Sequence, residues 1–340
     1  MVVQKVNKLS QLLSNEEYID LTLSYSKISD FDRNGAVSLV RQTVVDNDGV
    51  KFGSLVDDLL FNSQEYFKEN YYIFDGEKPS ATLGNLCDII LKNYTELPNI
   101  QQVKQIIEHN DFWSNIKDPN KLEANFNKPE FWTYLTCKFD TVNKTVITTK
   151  EFHEAMDIVS ILKEHEYSKD ILYNDHDNYH QFRIEFEYKK FTIRGIIDIL
   201  TIDHVNKMVY ITDLKTGKNP AIEFEDSFIK WRYYFQGAIY SLAFDSICDK
   251  LKLEGYTLAP FQFLYISKSD KTPFLYRMTD KWISAAINGF SIKQYRFKGL
   301  DELTDEIYWC WKNKQYAIPK YIVENKGVVD IKDNFIEVNE

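Results

Sequence analysis

Residues 181–217 form three consecutive strand-like runs, and no other pattern in the chain restricts the fold as much. Phe182, Ile184, Phe186 and Tyr188 mark the first run, Phe191 to Ile202 the second, and Met208 to Leu214 the third. Polar breaks at Lys189-Lys190 and at Asp203-His204-Val205-Asn206-Lys207 fit hairpin connections. The runs therefore predict three neighbouring antiparallel strands. Downstream, we expect a helix from about Asp226 to Phe244, a strand from Phe261 to Ser267, and helices over 280–297 and 300–313. Strands meeting helices in this order argue for an α/β sandwich with a mixed sheet.

Upstream the character differs. A polar, Ser-rich segment runs from Leu23 to Phe31, and a helix is expected from Gly53 through Phe61. Residues 84–170 read as mostly helical, from the spacing of Leu86, Ile89 and Ile90 and of Ile158, Ile161 and Leu162. Thr148-Thr149-Lys150-Glu151 resembles a helix start, a Thr followed within a turn by Glu. We expect one domain over 1–340, with a mostly helical insertion at 62–170, the core sheet and its helix at 171–267, and C-terminal helices at 280–313.

Composition narrows the classes. The 340 residues are 44% hydrophobic and 27% charged, ordinary values for a globular chain with a sizeable core. A net charge of −10 argues against a protein that coats nucleic acid non-specifically, but a local basic groove can coexist with an acidic body. Cys87, Cys137, Cys248 and Cys310 are far apart in sequence, so no Cys-x-x-Cys pair is present for zinc or an iron–sulfur cluster. No run approaches the roughly 18 apolar residues of a membrane helix. Separate thiols without a secretory signal imply a cytoplasmic protein.

Two of the expected strands carry charge. Asp198 interrupts an otherwise apolar run, where a carboxylate is expensive unless it is paired or metal-bound. Asp213 and Lys215 share a strand face with Val209 and Ile211, and Asp198 on the preceding strand can sit beside them. Nearby carboxylates repel, and a divalent cation relieves the repulsion. Hard oxygen ligands select Mg²⁺ or Mn²⁺. Such a cation polarises a phosphate oxygen and acidifies a bound water, while Lys215 can orient that water and stabilise charge at phosphorus. The trio is thus equipment for metal-dependent phosphodiester cleavage. An isolated Asp-x-Lys is more often the ordinary solvated ion pair of a strand end. In the next helix Arg232, Gln236 and Tyr240 recur every four residues as a polar stripe that could reach phosphates and Lys215. The alternative for that stripe is a satisfied Tyr–Gln hydrogen bond in the core.

Together, Gly195-x-x-Asp198, Asp213-x-Lys215-Thr216-Gly217 and Gln236-x-x-x-Tyr240 resemble the PD-(D/E)XK nuclease superfamily, in its RecB-like and phage-type exonuclease branch. The resemblance spans roughly residues 20–61 and 181–267. It implies a restriction-endonuclease-like core, a mixed central sheet flanked by helices, with a helical insertion. The branch carries an upstream Gly-x-x-x-His or Gly-x-x-x-Glu, and Gly53-Ser54-Leu55-Val56-Asp57 occupies that place here, with Asp57 where His is usual. Ser24, Ser26 and Ser29 resemble the segment before that helix. Carried over, the resemblance implies Asp57, Asp198 and Asp213 as metal ligands, with the Leu214 carbonyl as a further one. It implies Lys215 as the catalytic lysine, and Gln236 and Tyr240, with Arg232, as residues that orient the site or the DNA backbone.

Other candidates are plainer. Glu185 and Glu187 suit a solvated strand face, His176 and His180 lack a third metal ligand, and His204 falls in a turn. Trp309, Trp311 and Tyr316 could stack on bases, although packing of a terminal helix explains them as well. No Gly-x-x-x-x-Gly-Lys-Ser/Thr segment is present. The expected function is a Mg²⁺- or Mn²⁺-dependent DNA exonuclease of phage or bacterial recombination or DNA processing, without an iron–sulfur cluster. An annealing protein or helicase is its expected partner, and its place the cytoplasm, that of the host if phage-encoded. A structure-specific or restriction-like endonuclease is the second reading. A degenerate DNA- or protein-binding module, motivated by Asp57 and the net charge, is the third.

Overall fold

A computed structural model describes residues 22–40 and 48–328. The chain forms two compact units, one from Met1–Asn47 with Lys163–Glu340, the other from Asp48–Leu162. The first opens with a short strand β1 (Thr22–Leu23) and helix α1 (Tyr25–Asn34). Ser24 caps α1 by accepting from the Lys27 N–H, and Gly35, at φ 72°, ends it.

The unit Asp48–Leu162 is mainly helical: α2 (Asp48–Phe61), α3 (Gln64–Asn70), α4 (Ala81–Asn93), α5 (Ile100–His109), α6 (Pro119–Phe126) and α7 (Pro129–Asp140). Strands β2 (Tyr71–Phe74) and β3 (Thr145–Thr148) pair in parallel within it, an addition to the expected helical stretch. The β-branched run Thr145-Val146-Ile147-Thr148 favours that pleated pairing. Its core gathers Leu86, Ile90, Val103, Phe126, Phe131 and Leu135. Helix α8 (Thr149–Glu164) begins where its Thr and Glu predict. The Thr148 hydroxyl accepts from the Glu151 N–H, and Glu151 accepts from the Thr148 N–H at 2.7 Å.

After the short helix α9 (Lys169–Leu172), the expected strands follow as β4 (Asp177–Tyr188), β5 (Phe191–Asp203) and β6 (Met208–Gly217). Then come α10 (Phe224–Lys230), α11 (Tyr233–Leu242), α12 (Phe244–Leu251), β7 (Thr257–Leu258), β8 (Gln262–Ser267) and β9 (Phe274–Arg277). The path ends with α13 (Asp280–Asn288), a hairpin β10 (Phe290–Ile292) and β11 (Tyr295–Phe297), α14 (Leu300–Asn313) and α15 (Lys320–Glu324). The seven-stranded sheet runs β1-β5-β6-β8-β9, with β4 on β5 and β7 on β6, and is mixed as expected. Two expectations are corrected. The helix placed at 280–297 stops at Asn288 because Gly289, at φ 89°, turns the chain into the hairpin. The helix placed at 226–244 breaks at Trp231-Arg232.

β4 lines one edge of β5 from Phe191 to Ile202, so β1 and β6 must share the other edge. β1 takes Thr192 and Ile193, and β6 takes Ile199 to Asp203. Between them β5 and β6 diverge into a fork, while Thr212 to Gly217 of β6 go on pairing with β8. Helix α11 packs on this sheet, buried from Tyr234 to Tyr240. Among the described residues no helix is long and apolar enough to cross a membrane.

Candidate active site

Asp198, Asp213, Leu214 and Lys215 stand at the fork. Past Thr212 the Leu214 N–H has no β5 partner, and the Asp198 carboxylate accepts from it at 2.8 Å. The other Asp198 oxygen accepts from the Gln181 side chain at 3.2 Å. Gln181 reaches across from β4 in a left-handed backbone conformation, φ 51°, which is uncommon for a residue with a side chain. Asp213 is 2% exposed. One of its oxygens accepts from Gln236 Nε2 at 2.5 Å and the other meets the Lys215 ammonium.

Lys215 is enclosed on its other sides. Its Nζ lies 5.1 Å from the centre of the Tyr233 ring, a cation–π arrangement. Tyr25 of α1 faces Tyr233 with ring centres 6.3 Å apart. Burial disfavours the ammonium, but the charges of Asp213, Tyr233 and Asp198 outweigh it and hold Lys215 well above the ordinary lysine range. Burial likewise pushes up the Tyr25 and Tyr240 phenols, keeping both as neutral donors.

Gln236 and Tyr240 point inward. Tyr240 donates to the Ile196 carbonyl at 2.7 Å, and its ring crosses Gly195 so closely that a Cβ there would stand 2.8 Å from Tyr240 Cε1. Glycine at that position is required by this crossing. Gly217 has the same origin, because Tyr265 lies where its Cβ would project while donating to the Asn219 carbonyl. Both the polar stripe and the core hydrogen bond anticipated for this helix have a part here, since Gln236 sits 3.4 Å from the Tyr240 hydroxyl and also holds Asp213.

Arg232 does not join the stripe. It precedes α11 at φ 63°, and its guanidinium donates to Asp32 at 2.5 Å and to the Ile229 carbonyl at 2.9 Å. The neighbouring Trp231 carbonyl accepts from both Tyr25 and Ser29 hydroxyls. These bonds from α1 stabilise the break between α10 and α11. Asp57 lies half-buried on α2 in the other unit, where its charge acts on Tyr71. Glu185 pairs with Arg194 at the surface, His176 lies beside Asp203, and His204 contacts Asp177 and Tyr256. Trp309 and Trp311 pack against the core. Gln181, Tyr25 and Tyr233 are missing from the sequence-derived site, and nothing in their local sequence distinguishes them.

Asp198, Asp213 and the Leu214 carbonyl offer only hard oxygen donors, a set suited to Mg²⁺ or Mn²⁺. Asp213 pairs with the Lys215 ammonium, and the charge of Asp198 acts on the same ammonium. Gln236 Oε1 is buried and receives no hydrogen bond among the described residues. Also among those residues, no three His, Cys, Asp or Glu side chains are grouped to share an ion.

Among solved structures the chain is similar to a "Putative exonuclease" from Eubacterium rectale, with 14% identity and a TM-score of 0.42 over 93% of this chain and 88% of that one. It is also similar to SSO0001, with 11% identity and a TM-score of 0.27 over 96% of this chain and 92% of that one. At these scores neither carries an argument about this chain. No curated protein matches it. The sequence pattern of the PD-(D/E)XK nuclease superfamily matches residues 73–306, well over half of the chain, and that span holds the fork and the helix beneath it. The chain belongs to the PD-(D/E)XK nuclease superfamily.

Proposed function

We propose that this protein is a DNA exonuclease dependent on Mg²⁺ or Mn²⁺, and that the β5–β6 fork is its active site. One observation carries the proposal: two carboxylates and a lysine converge where the strands part, beside the Leu214 backbone N–H that Asp198 holds. Asp198, Asp213 and the Leu214 carbonyl would hold the cation. When bound, a divalent cation supplies Lewis acidity toward a phosphate oxygen and a more acidic water.

The protein's own residues do the rest. Lys215 offers positive charge to the developing charge at phosphorus and orients the attacking water. Gln236 fixes the Asp213 carboxylate, and Tyr240 fixes β5 beside Asp198. Under this proposal Gln236 and Tyr240 act by positioning the site, residues 1–340 act as one nuclease, and residues 62–170 are its helical insertion. DNA processing or recombination in a bacterial or phage-infected cytoplasm, beside an annealing protein or helicase, is the setting the superfamily resemblance favours.

The test is incubation of the protein with end-labelled linear duplex, single-stranded and closed circular DNA, in Mg²⁺, Mn²⁺ or EDTA, alongside Lys215→Ala. Circular dichroism would confirm that the variant is folded. Metal-dependent loss of linear DNA only, absent in the variant, is the expected result. Cutting of the circle would replace the exonuclease by an endonuclease, and full activity of the variant would remove the fork from the chemistry. No cleavage by wild type under any condition would favour a binding module.

A further inference from the structure

In the same compact unit as the fork lies a groove of about 730 Å³, a size typical of ligand clefts. It is bounded by the end of α1, the β10–β11 hairpin, α14 and the segment leading into α15. Its lining is unusual for this acidic chain. Arg232, Arg296, Lys298 and Lys320 face it against the carboxylates of Asp32 and Glu306. Three tyrosines, Tyr295, Tyr316 and Tyr321, share the lining, and two of them are more than half exposed, Tyr295 at 63% and Tyr321 at 53%. None of the three phenol hydroxyls makes a hydrogen bond among the described residues.

We infer that this groove binds single-stranded nucleic acid, with its tyrosines stacking on bases and its cations following the phosphates. The chemistry selects that occupant. An aromatic platform gains by stacking on a base that has left its own stack, and Arg296, the most exposed of the paired cations, can exchange its Glu302 partner for a phosphate whatever the sequence. Bases inside a duplex are already stacked, so an aromatic groove discriminates against it. The cations are held in place from outside the groove or across it: Glu302 holds Arg296 at 2.6 Å, Glu306 holds Lys298 at 2.6 Å, and Glu324 lies 3.8 Å from Lys320. Arg232 links the groove to the fork. It lines the groove, lies 5.3 Å from the Phe297 ring, and immediately precedes Tyr233, whose ring lies under Lys215. Tyr316, which packs on the core as Trp309 and Trp311 do, also reaches the groove lining, where those two are absent.

The inference extends the nuclease proposal by naming the form of substrate, but its test does not depend on cleavage. Fluorescence anisotropy of the full chain in EDTA would compare a labelled oligothymidylate with a blunt duplex closed at both ends by short loops. Wild type should bind the single strand more tightly. Tyr295→Ala with Tyr321→Ala should weaken that binding on the order of ten-fold or more. The same change should leave duplex binding and the melting temperature unaltered, and Tyr→Phe at both positions should restore the single-strand affinity. Arg296→Ala should flatten the dependence of binding on salt. Unchanged affinity in the double Ala variant, or equal losses for both DNAs, would overturn the inference. If the fork proved inactive and these binding results held, the nuclease proposal would fail and the groove would stand.

Discussion

The β5–β6 hairpin has a buried aspartate near each end, and the two aspartates are satisfied in different ways. At the turn end Asp203 is 3% exposed, and its oxygens accept from the Val205 N–H, the Asn206 N–H and the Asn206 side chain. Those donors belong to the turn itself, so the carboxylate closes the turn. At the fork end Asp213 is 2% exposed, but its partners are side chains, Gln236 from α11 and Lys215 on its own strand. Asp198 stands next to it and adds a second negative charge. Burial of a carboxylate therefore does not mark function by itself. At one end donors of the turn itself offset the cost of burial, and at the other side chains from a separate helix and from the same strand do so.

Substitutions can break or sharpen this contrast. The largest effect belongs to Lys215→Ala, which should lower the cleavage rate on the order of 10²–10³-fold, read per folded molecule. It also leaves Asp213 buried without its counter-charge, so its melting temperature should fall in EDTA and recover with Mg²⁺. Gly195→Ala comes next. Its Cβ would press on the Tyr240 ring, costing about 1–3 kcal/mol in a denaturant titration and slowing cleavage. Gln236→Ala strips a donor from a buried Asp213 oxygen, with a loss of about 1–3 kcal/mol and a reduced rate. At the turn end, Asp203→Ala should lower the melting temperature with no change in cleavage per folded molecule. The Asn206 backbone N–H, first among its partners, holds the Asp203 carboxyl below the usual carboxylate range. Its contribution is thus present above the unfolded-state pKa and lost as pH falls through the folded-state value, so the variant should show a shallower acid-side decline. Glu185→Ala should do least, within about 0.5 kcal/mol, because its pairing with Arg194 is well exposed.

Much of the sheet was legible because each strand repeats its signal many times. The strand-like runs of β4, β5 and β6 and the polar breaks between them point to the antiparallel trio, and three of its charged positions, Asp198, Asp213 and Lys215, meet at the fork. What escaped rests on single residues whose conformation is set by distant partners. Arg232 adopts a left-handed backbone with its guanidinium on Asp32 and with Tyr25 and Ser29 holding the preceding carbonyl, all from α1 about two hundred residues earlier in the chain. The spacing of Arg232, Gln236 and Tyr240 could not reveal that break. Gln181 escaped for the same reason, because its contact with Asp198 depends on a positive φ that local sequence does not announce. The hairpin inside the expected helix at 280–297 did leave a signal in Asn288-Gly289, but its strands of three residues are too short to show a period.

Calorimetric titration of Mn²⁺ into wild type, Asp213→Asn and Asp203→Ala tests the central claim most directly, because it reads the two ends of one hairpin without requiring any substrate. Binding that survives in Asp203→Ala and disappears in Asp213→Asn is the predicted result. Equal Mn²⁺ binding by Asp213→Asn and wild type would contradict the assignment of the fork as the metal site.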